Sequence, residues 1–163
     1  MFRRIMVPID GSPTSNQGLK EAIALATDPS ARLCLLHVVD ELVVTQGFDG
    51  AAYIPENYID EFIEALRKDG KKLLARAEER VKKSKVKVET VLLETLGHRV
   101  AELIIRQAKK WHADVIVLGT HGRRGLSRLL MGSDAEMVVR EAPVPVLLVR
   151  SPKRPQRKGV RRS

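Results

Sequence analysis

Apolar runs of strand length alternate along this chain with stretches of helical periodicity, and that alternation limits the architectures open to it. Residues 3–9 read as a short buried strand that ends in Asp10-Gly11-Ser12-Pro13. Leu19, Ala22, Ile23 and Ala26 then recur at i, i+3, i+4 and i+7, which predicts a helix with one packed face. Residues 31–39 form a second apolar run, too continuous for a sheet with one wet face. Residues 40–56 carry Gly47, Gly50 and Pro55 and read as a loop. A long amphipathic helix follows, traced by Ile59, Phe62, Ile63, Leu66, Leu73, Leu74, Ala77 and Val81, with the intervening charges on a solvated face.

The second half repeats the theme. Val86 to Leu93 alternates and reads as a third strand nearer an edge. After Gly97, a helix carries Val100, Leu103, Ile104, Ala108 and Trp111 on one side. Asp114 to Leu118 is a fourth strand, at the βαβ spacing that a parallel pairing requires. Residues 132–141 predict a further helix stopped at Pro143, and Val144 to Val149 is the last strand, placed at an edge by Pro145. No internal repeat and no linker interrupts residues 1–150, so the reading is one doubly wound α/β domain. In such sheets ligands sit outside the carboxyl ends of the strands, where strand order reverses.

The fourth strand runs into an unusual glycine pattern. Gly119 ends the apolar run, Gly122 follows after two residues, and nine more lead to Gly132 and Ser133. Glycine has no Cβ, so backbone N–H groups can close around phosphate oxygens, and Ser133 stands where a helix N-terminus would face the same anion. This G-x2-G-x9-G-S spacing is neither a Walker A loop nor the dinucleotide fingerprint. It resembles the nucleotide-binding signature of the universal stress protein family. Two further matches support the resemblance, VPIDGS at residues 7–12 and LLHVVD at residues 35–40, and the family pattern covers essentially residues 2–150.

The resemblance implies a five-stranded parallel sheet of order 3-2-1-4-5 with helices on both faces. It also implies a cofactor, ATP, arriving with Mg²⁺ held mainly by the phosphates. Asp10 would lie near the ribose and adenine end, with Pro8 lining the same pocket and Val38 offering its backbone to the adenine edge. Gly119 and Gly122 would admit the phosphates, with His121 between them. Gly132 and Ser133 would close over the distal phosphates, and Asp134 would contribute its backbone N–H. Plainer roles stay open for several of these residues. Asp10 is a residue type that caps a turn before Gly-Ser, Pro8 fixes strand geometry, Val38 is a core valine in any case, and Ser133 suits a helix N-cap. Arg123, Arg124 and Arg128 bring positive charge to the glycine loop, where solvation or packing between subunits is the favoured account of them.

Other polar residues have simpler readings. His37 sits among apolar neighbours as a core or near-core histidine, and His98 either caps the helix after Gly97 or faces solvent. Cys34, the one cysteine, lies in an apolar run as a buried, inert thiol, which excludes an internal disulfide. No spacing of His, Cys, Asp and Glu has metal-ligand character, and no nucleophile elbow occurs, so no catalytic residue is assigned.

No apolar run approaches the roughly 20 residues of a membrane span, and the N-terminus has no secretory character, which leads to a cytoplasmic expectation. The formal charge of +9 is concentrated in residues 151–163, whose six cations leave +3 for residues 1–150. That basic tail reads as disordered and either only solubilises the chain or meets nucleic acid or anionic lipid. Family members commonly pair through the last strand, here Val144 to Val149, so a homodimer is expected. The resulting function is a nucleotide-dependent stress-response regulator with an unknown protein partner. The alternatives are a slow ATPase or self-phosphorylating enzyme of the same fold, or an adaptor working through the tail.

Overall fold

The computed structural model describes residues 1–41, 56–120 and 131–150. Among the described residues nine elements alternate, strand then helix. They are β1 (Arg4–Pro8), α1 (Pro13–Leu25), β2 (Arg32–Val39), α2 (Glu56–Lys82), β3 (Lys87–Glu94), α3 (Val100–Trp111), β4 (Val115–Gly119), α4 (Ser133–Glu141) and β5 (Val146–Val149). The strands form one parallel sheet in the order β3-β2-β1-β4-β5. A parallel neighbour can be reached only by a crossover, so each helix must lie on a face of the sheet.

Period-two alternation divides the strand side chains between two cores. Ile5, Val7, Leu33, Leu35, Val115 and Val117 face one side, where Leu19 and Ala22 of α1 and Leu74, Ala77 and Val81 of α2 cover them. Met6, Cys34, Leu36, Ile116 and Leu118 face the other, against Ala101, Ile104, Ala108 and Trp111 of α3 and Ala135 and Val138 of α4. The central strands are wet on neither face, which is why their sequences read as continuous apolar runs. Edge strand β3 keeps Lys87 and Glu89 exposed on one face, as alternation predicts, but Thr90 on the other face is exposed as well, and β5 forms the opposite edge.

Local chemistry sets the ends of the elements. Ser12 caps α1, its Oγ accepting from the Ser15 N–H at 3.1 Å, and Pro13 enters the first turn where a missing N–H costs nothing. At α4 the cap is Gly132 and not Ser133, which is already the first helical residue. His98 does not cap α3: Arg99 holds that position without a side-chain bond, and His98 stands half exposed beside Glu102, Nδ1 to Oε2 3.5 Å. The β1 amides of Arg3 and Arg4 both donate to Asp114 Oδ2, at 2.9 and 2.8 Å, which fixes the start of β1 beside the start of β4. Cys34 is fully buried, and burial, with the Glu89 charge second, pushes its thiol up to about 12, so it stays protonated.

One ion pair links α2 to the carboxyl end of β3. Arg67 donates from Nε to Glu94 Oε1 at 2.7 Å and from Nη2 to Oε2 at 2.8 Å, a two-pronged contact. The Arg67 hydrogen bond holds the Glu94 carboxyl below its ordinary 4.5. Because the folded-state value is depressed, this contribution is full above the unfolded value and is lost as pH falls through the folded one. Denaturant titrations from pH 6 downwards should therefore show Glu94→Gln less stable than wild type at the upper end. The two curves should converge below 4.5, with the variant the flatter in that window.

Candidate functional site

The order of the sheet reverses at β1, which has β2 on one side and β4 on the other. The helix after β1, α1, packs on one face of the sheet and the helix after β4, α4, on the other, and it is at such a point, outside the carboxyl ends of the strands, that ligands sit in open α/β sheets. Most of the residues singled out in the sequence lie at this end.

Strand β1 stops at Pro8, which is buried, pairs with Leu36 and shares the face of Met6. The Ile9 N–H still donates to the Leu36 carbonyl at 2.7 Å, and the chain then turns. Asp10, half-buried, accepts the Ser12 N–H on Oδ1 at 2.9 Å, so it does hold the turn that leads into α1. Gly11 takes φ 83° in that turn, a left-handed conformation that L side chains rarely adopt.

Val38 lies two residues beyond Leu36 on β2, past the last paired residue of β1. Backbone polar groups two residues apart on a strand point the same way. Since the Leu36 carbonyl faces β1, the Val38 N–H and C=O face that side too, where β1 has already turned away. The side chain of Val38 packs toward the α3 and α4 core, so the valine serves that core as its apolar neighbours do.

Gly119 ends β4 directly under the first turn of α1. A methyl there would lie 2.8 Å from Thr14 Oγ1, 2.9 Å from the Ser15 nitrogen and 2.9 Å from the Thr14 carbonyl carbon. The glycine is thus demanded by helix–strand packing, a reason the glycine signature alone does not disclose. The next residue, Thr120, is buried; its N–H donates to the Val149 carbonyl at 2.9 Å, and its own carbonyl accepts the Gly132 N–H at 3.0 Å. Residues 120 and 132 are therefore tied together, and whatever lies between them starts and ends at one place. His121, Gly122, Arg123, Arg124 and Arg128 lie outside the described residues.

Helix α4 starts from that tie. Ser133 is exposed at its first position, and the cap, Gly132, offers no side chain to the first-turn amides. An uncapped helix start of this kind presents N–H groups and the positive end of the dipole at this end of the sheet. Asp134 and Glu136 bring negative charge to the same turn, but the Asp134 carboxylate is directed to α3, where Oδ1 accepts the Ala101 N–H at 3.3 Å. Gly132, Ser133 and Asp134 thus stand at the carboxyl end of the sheet, the end at which Asp10 and Val38 also lie.

Two residues at this end, His37 and Thr95, make contacts that the sequence does not disclose. His37 is buried, as a core histidine should be, yet its Nδ1–H also donates to the Ile9 carbonyl at 2.6 Å. Thr95, 1% exposed, donates its N–H to the Val39 carbonyl at 3.1 Å and accepts the Glu41 N–H on Oγ1 at 3.2 Å. A polar residue closing or interrupting an apolar run is the available signal, since once buried it must find a partner.

Among the described residues, no three His, Cys, Asp or Glu side chains gather as metal ligands, and no helix is long and apolar enough to cross a membrane. A shallow depression of about 250 Å³, lined by Arg32, Leu33, Lys87, Val88 and Glu89, lies at the amino ends of β2 and β3, the wrong end of the sheet for this site.

Known proteins share both the sequence and this arrangement. The universal stress protein YxiE of Bacillus subtilis is 36% identical over 151 residues, covering 92% of this chain and 100% of that protein. The solved structure of protein MJ0577, a universal stress protein of Methanocaldococcus jannaschii, superposes with a TM-score of 0.80 at 26% identity, covering 94% of this chain and 99% of that one. A universal stress protein family protein from Arabidopsis thaliana, solved with AMP bound, has the same fold, with a TM-score of 0.66 at 16% identity over 93% of each chain. Residues 1–150 match the family's sequence profile, and with the sheet order and its reversal at β1 in place, this chain belongs to the universal stress protein family.

Proposed function

We propose that this chain is a cytoplasmic, adenine-nucleotide-binding regulator of the stress response that works as a homodimer. ATP is the proposed ligand, with Mg²⁺ carried by its phosphates. The reading is supported by three groups at the carboxyl end of one sheet: the Val38 backbone beyond the last paired residue of β1, the Asp10 carboxylate in the turn after β1, and the start of α4, whose cap makes no side-chain bond. The three match the three parts of a nucleotide. An adenine edge pairs with backbone N–H and C=O, ribose hydroxyls donate to a carboxylate, and phosphates take helix N-terminal amides. In this reading Pro8 lines the base end, Gly119, His121 and Gly122 flank the phosphates, and Gly132, Ser133 and the Asp134 N–H close over them. The AMP found in the Arabidopsis protein supports the adenine preference.

Nucleotide binding would favour one state of the α4–β5 surface, which is how a ligand without chemistry regulates. Edge strand β5, with Leu147 39% exposed, supports pairing of two copies through Val144 to Val149. Sedimentation of the purified chain reads that directly.

The decisive experiment is a thermal-shift titration with ATP, ADP, AMP and GTP in the presence of Mg²⁺, run beside Gly122→Val. At a hundredfold excess over Kd a ligand adds about 2.7 kcal/mol. At roughly 2–4 °C per kcal/mol for a chain of this size, that is a rise of about 5–10 °C. The expected result is a shift with adenine nucleotides, none with GTP and none in the variant. A folded wild type that shifts with no nucleotide ends this reading.

A further inference from the structure

The Ile9 carbonyl has an unusual partner. In a parallel ladder, a strand residue whose N–H donates to one neighbour accepts, on its own carbonyl, from the residue two further along. The Ile9 N–H donates to Leu36, so the next rung would run from the Val38 N–H to the Ile9 carbonyl. That carbonyl is instead taken by the imidazole of His37, Nδ1–H to oxygen 2.6 Å.

The ring is held in that position by its surroundings. His37 is 6% exposed, and helix α2 packs a glycine against it. A methyl on Gly70 would fall 2.6 Å from His37 Cδ2, 3.2 Å from Nε2 and 2.9 Å from Leu92 Cδ1. The far flank of the β2 tip is fixed by Thr95, through Val39 and Glu41. His37 is therefore clamped between α2 and the β1 exit, on a strand end that cannot drift toward β3.

From this geometry we infer that His37 is a positioning residue for adenine recognition. By capping the Ile9 carbonyl it ends the β1–β2 ladder one rung early and leaves the Val38 N–H and C=O to the ligand. The same bond sets the spacing of Val38 from Asp10, because each is the chain neighbour of one of the bonded residues. The inference rests on the nucleotide reading above and adds to it a residue that never touches the ligand.

The test uses the full chain and AMP as the probe. His37→Leu removes the donor while filling the space; His37→Asn restores a donor, since its amide nitrogen stands where Nδ1 stood. Calorimetry measures AMP affinity, and amide hydrogen exchange of the nucleotide-free protein follows Val38. In His37→Leu the freed carbonyl recaptures the Val38 N–H, so that amide becomes protected. AMP affinity falls roughly tenfold, the scale of one buried polar group losing its partner. His37→Asn keeps the open Val38 amide and most of the affinity, whereas Gly70→Ala, which displaces the ring without deleting it, weakens AMP in the same direction as His37→Leu.

A purely structural histidine would give equal losses in the Leu and Asn variants with Val38 exchange unchanged, and that result overturns the inference. So does AMP binding in His37→Leu at wild-type strength. If the wild type itself binds no adenine nucleotide, the nucleotide reading fails and takes the ligand role of His37 with it. The exchange of Val38 then separately decides whether His37 ends the ladder.

Discussion

Gly119→Ala is expected to lower the stability of the folded chain by about 1–3 kcal/mol, the usual cost of forcing a methyl into a filled space. The three nearest atoms lie at 2.8–2.9 Å, and two of them, the Ser15 nitrogen and the Thr14 carbonyl carbon, are backbone. Neither can rotate away, so the first turn of α1 must lift from the end of β4. That lift carries the site with it, because the turn from Asp10 to Ser12 is continuous with α1. Differential scanning calorimetry should show a fall of roughly 2–4 °C per kcal/mol lost, and adenine-nucleotide affinity should fall in parallel. Gly18→Ala is the matched control on the same contact. Its methyl would meet only the Gly119 nitrogen and Val117 Cγ1, both at the ordinary distance of 3.9 Å. A helical glycine with room for a methyl gains about 0.4–1 kcal/mol when it receives one. A Gly119→Ala protein as stable as wild type would show that α1 is not seated on β4 as described.

Leu35→Ala should cost more, about 2–5 kcal/mol, the range of large-to-small changes in a close-packed core. Leu35 is fully buried on β2, paired with Val7 on one side and Thr90 on the other, and packs into the core beneath α1 and α2. Both neighbouring strands are held in register by backbone bonds, so the cavity cannot close by a shift of one strand. Urea titration should give a lower midpoint at an unchanged slope, since the surface exposed on unfolding hardly changes. The same truncation at Leu147, 39% exposed on an edge strand, leaves no comparable cavity in the single chain. A midpoint for Leu35→Ala equal to wild type would be incompatible with this packing.

Much of the fold is legible along the chain. The run from Arg32 to Val39 is apolar at nearly every position because β2 is covered on both faces, whereas Lys87, Glu89 and Thr90 bring polar residues into β3, whose first half is exposed at the edge of the sheet. Val100, Ile104, Ala108 and Trp111 recur at helical spacing because α3 has one face on the sheet. These patterns are local, and each element shows its own burial. The strand order has no such local trace; it entered from the family resemblance, and the structure gives the same order, β3-β2-β1-β4-β5.

The site divides in the same way. Asp10, Gly119, Gly132 and Ser133 could be picked out because turns and helix starts demand particular residue types, although choosing Gly132 over Ser133 as the cap took backbone angles. Nothing in the sequence marks Gly70 apart from other helical glycines, because His37, which packs against it, lies 33 residues away along the chain. The packing demand on Gly119 comes from Thr14 and Ser15, which precede it by more than a hundred residues. By itself the sequence determined which segments become strands and helices and which ends carry turn and helix-start residues, because both follow from periodicity and residue type within a few positions. Only the tertiary structure decided which strands are neighbours, which carbonyl His37 caps and why Gly119 must lack a side chain, because these depend on contacts between segments whose separation along the chain leaves no local mark.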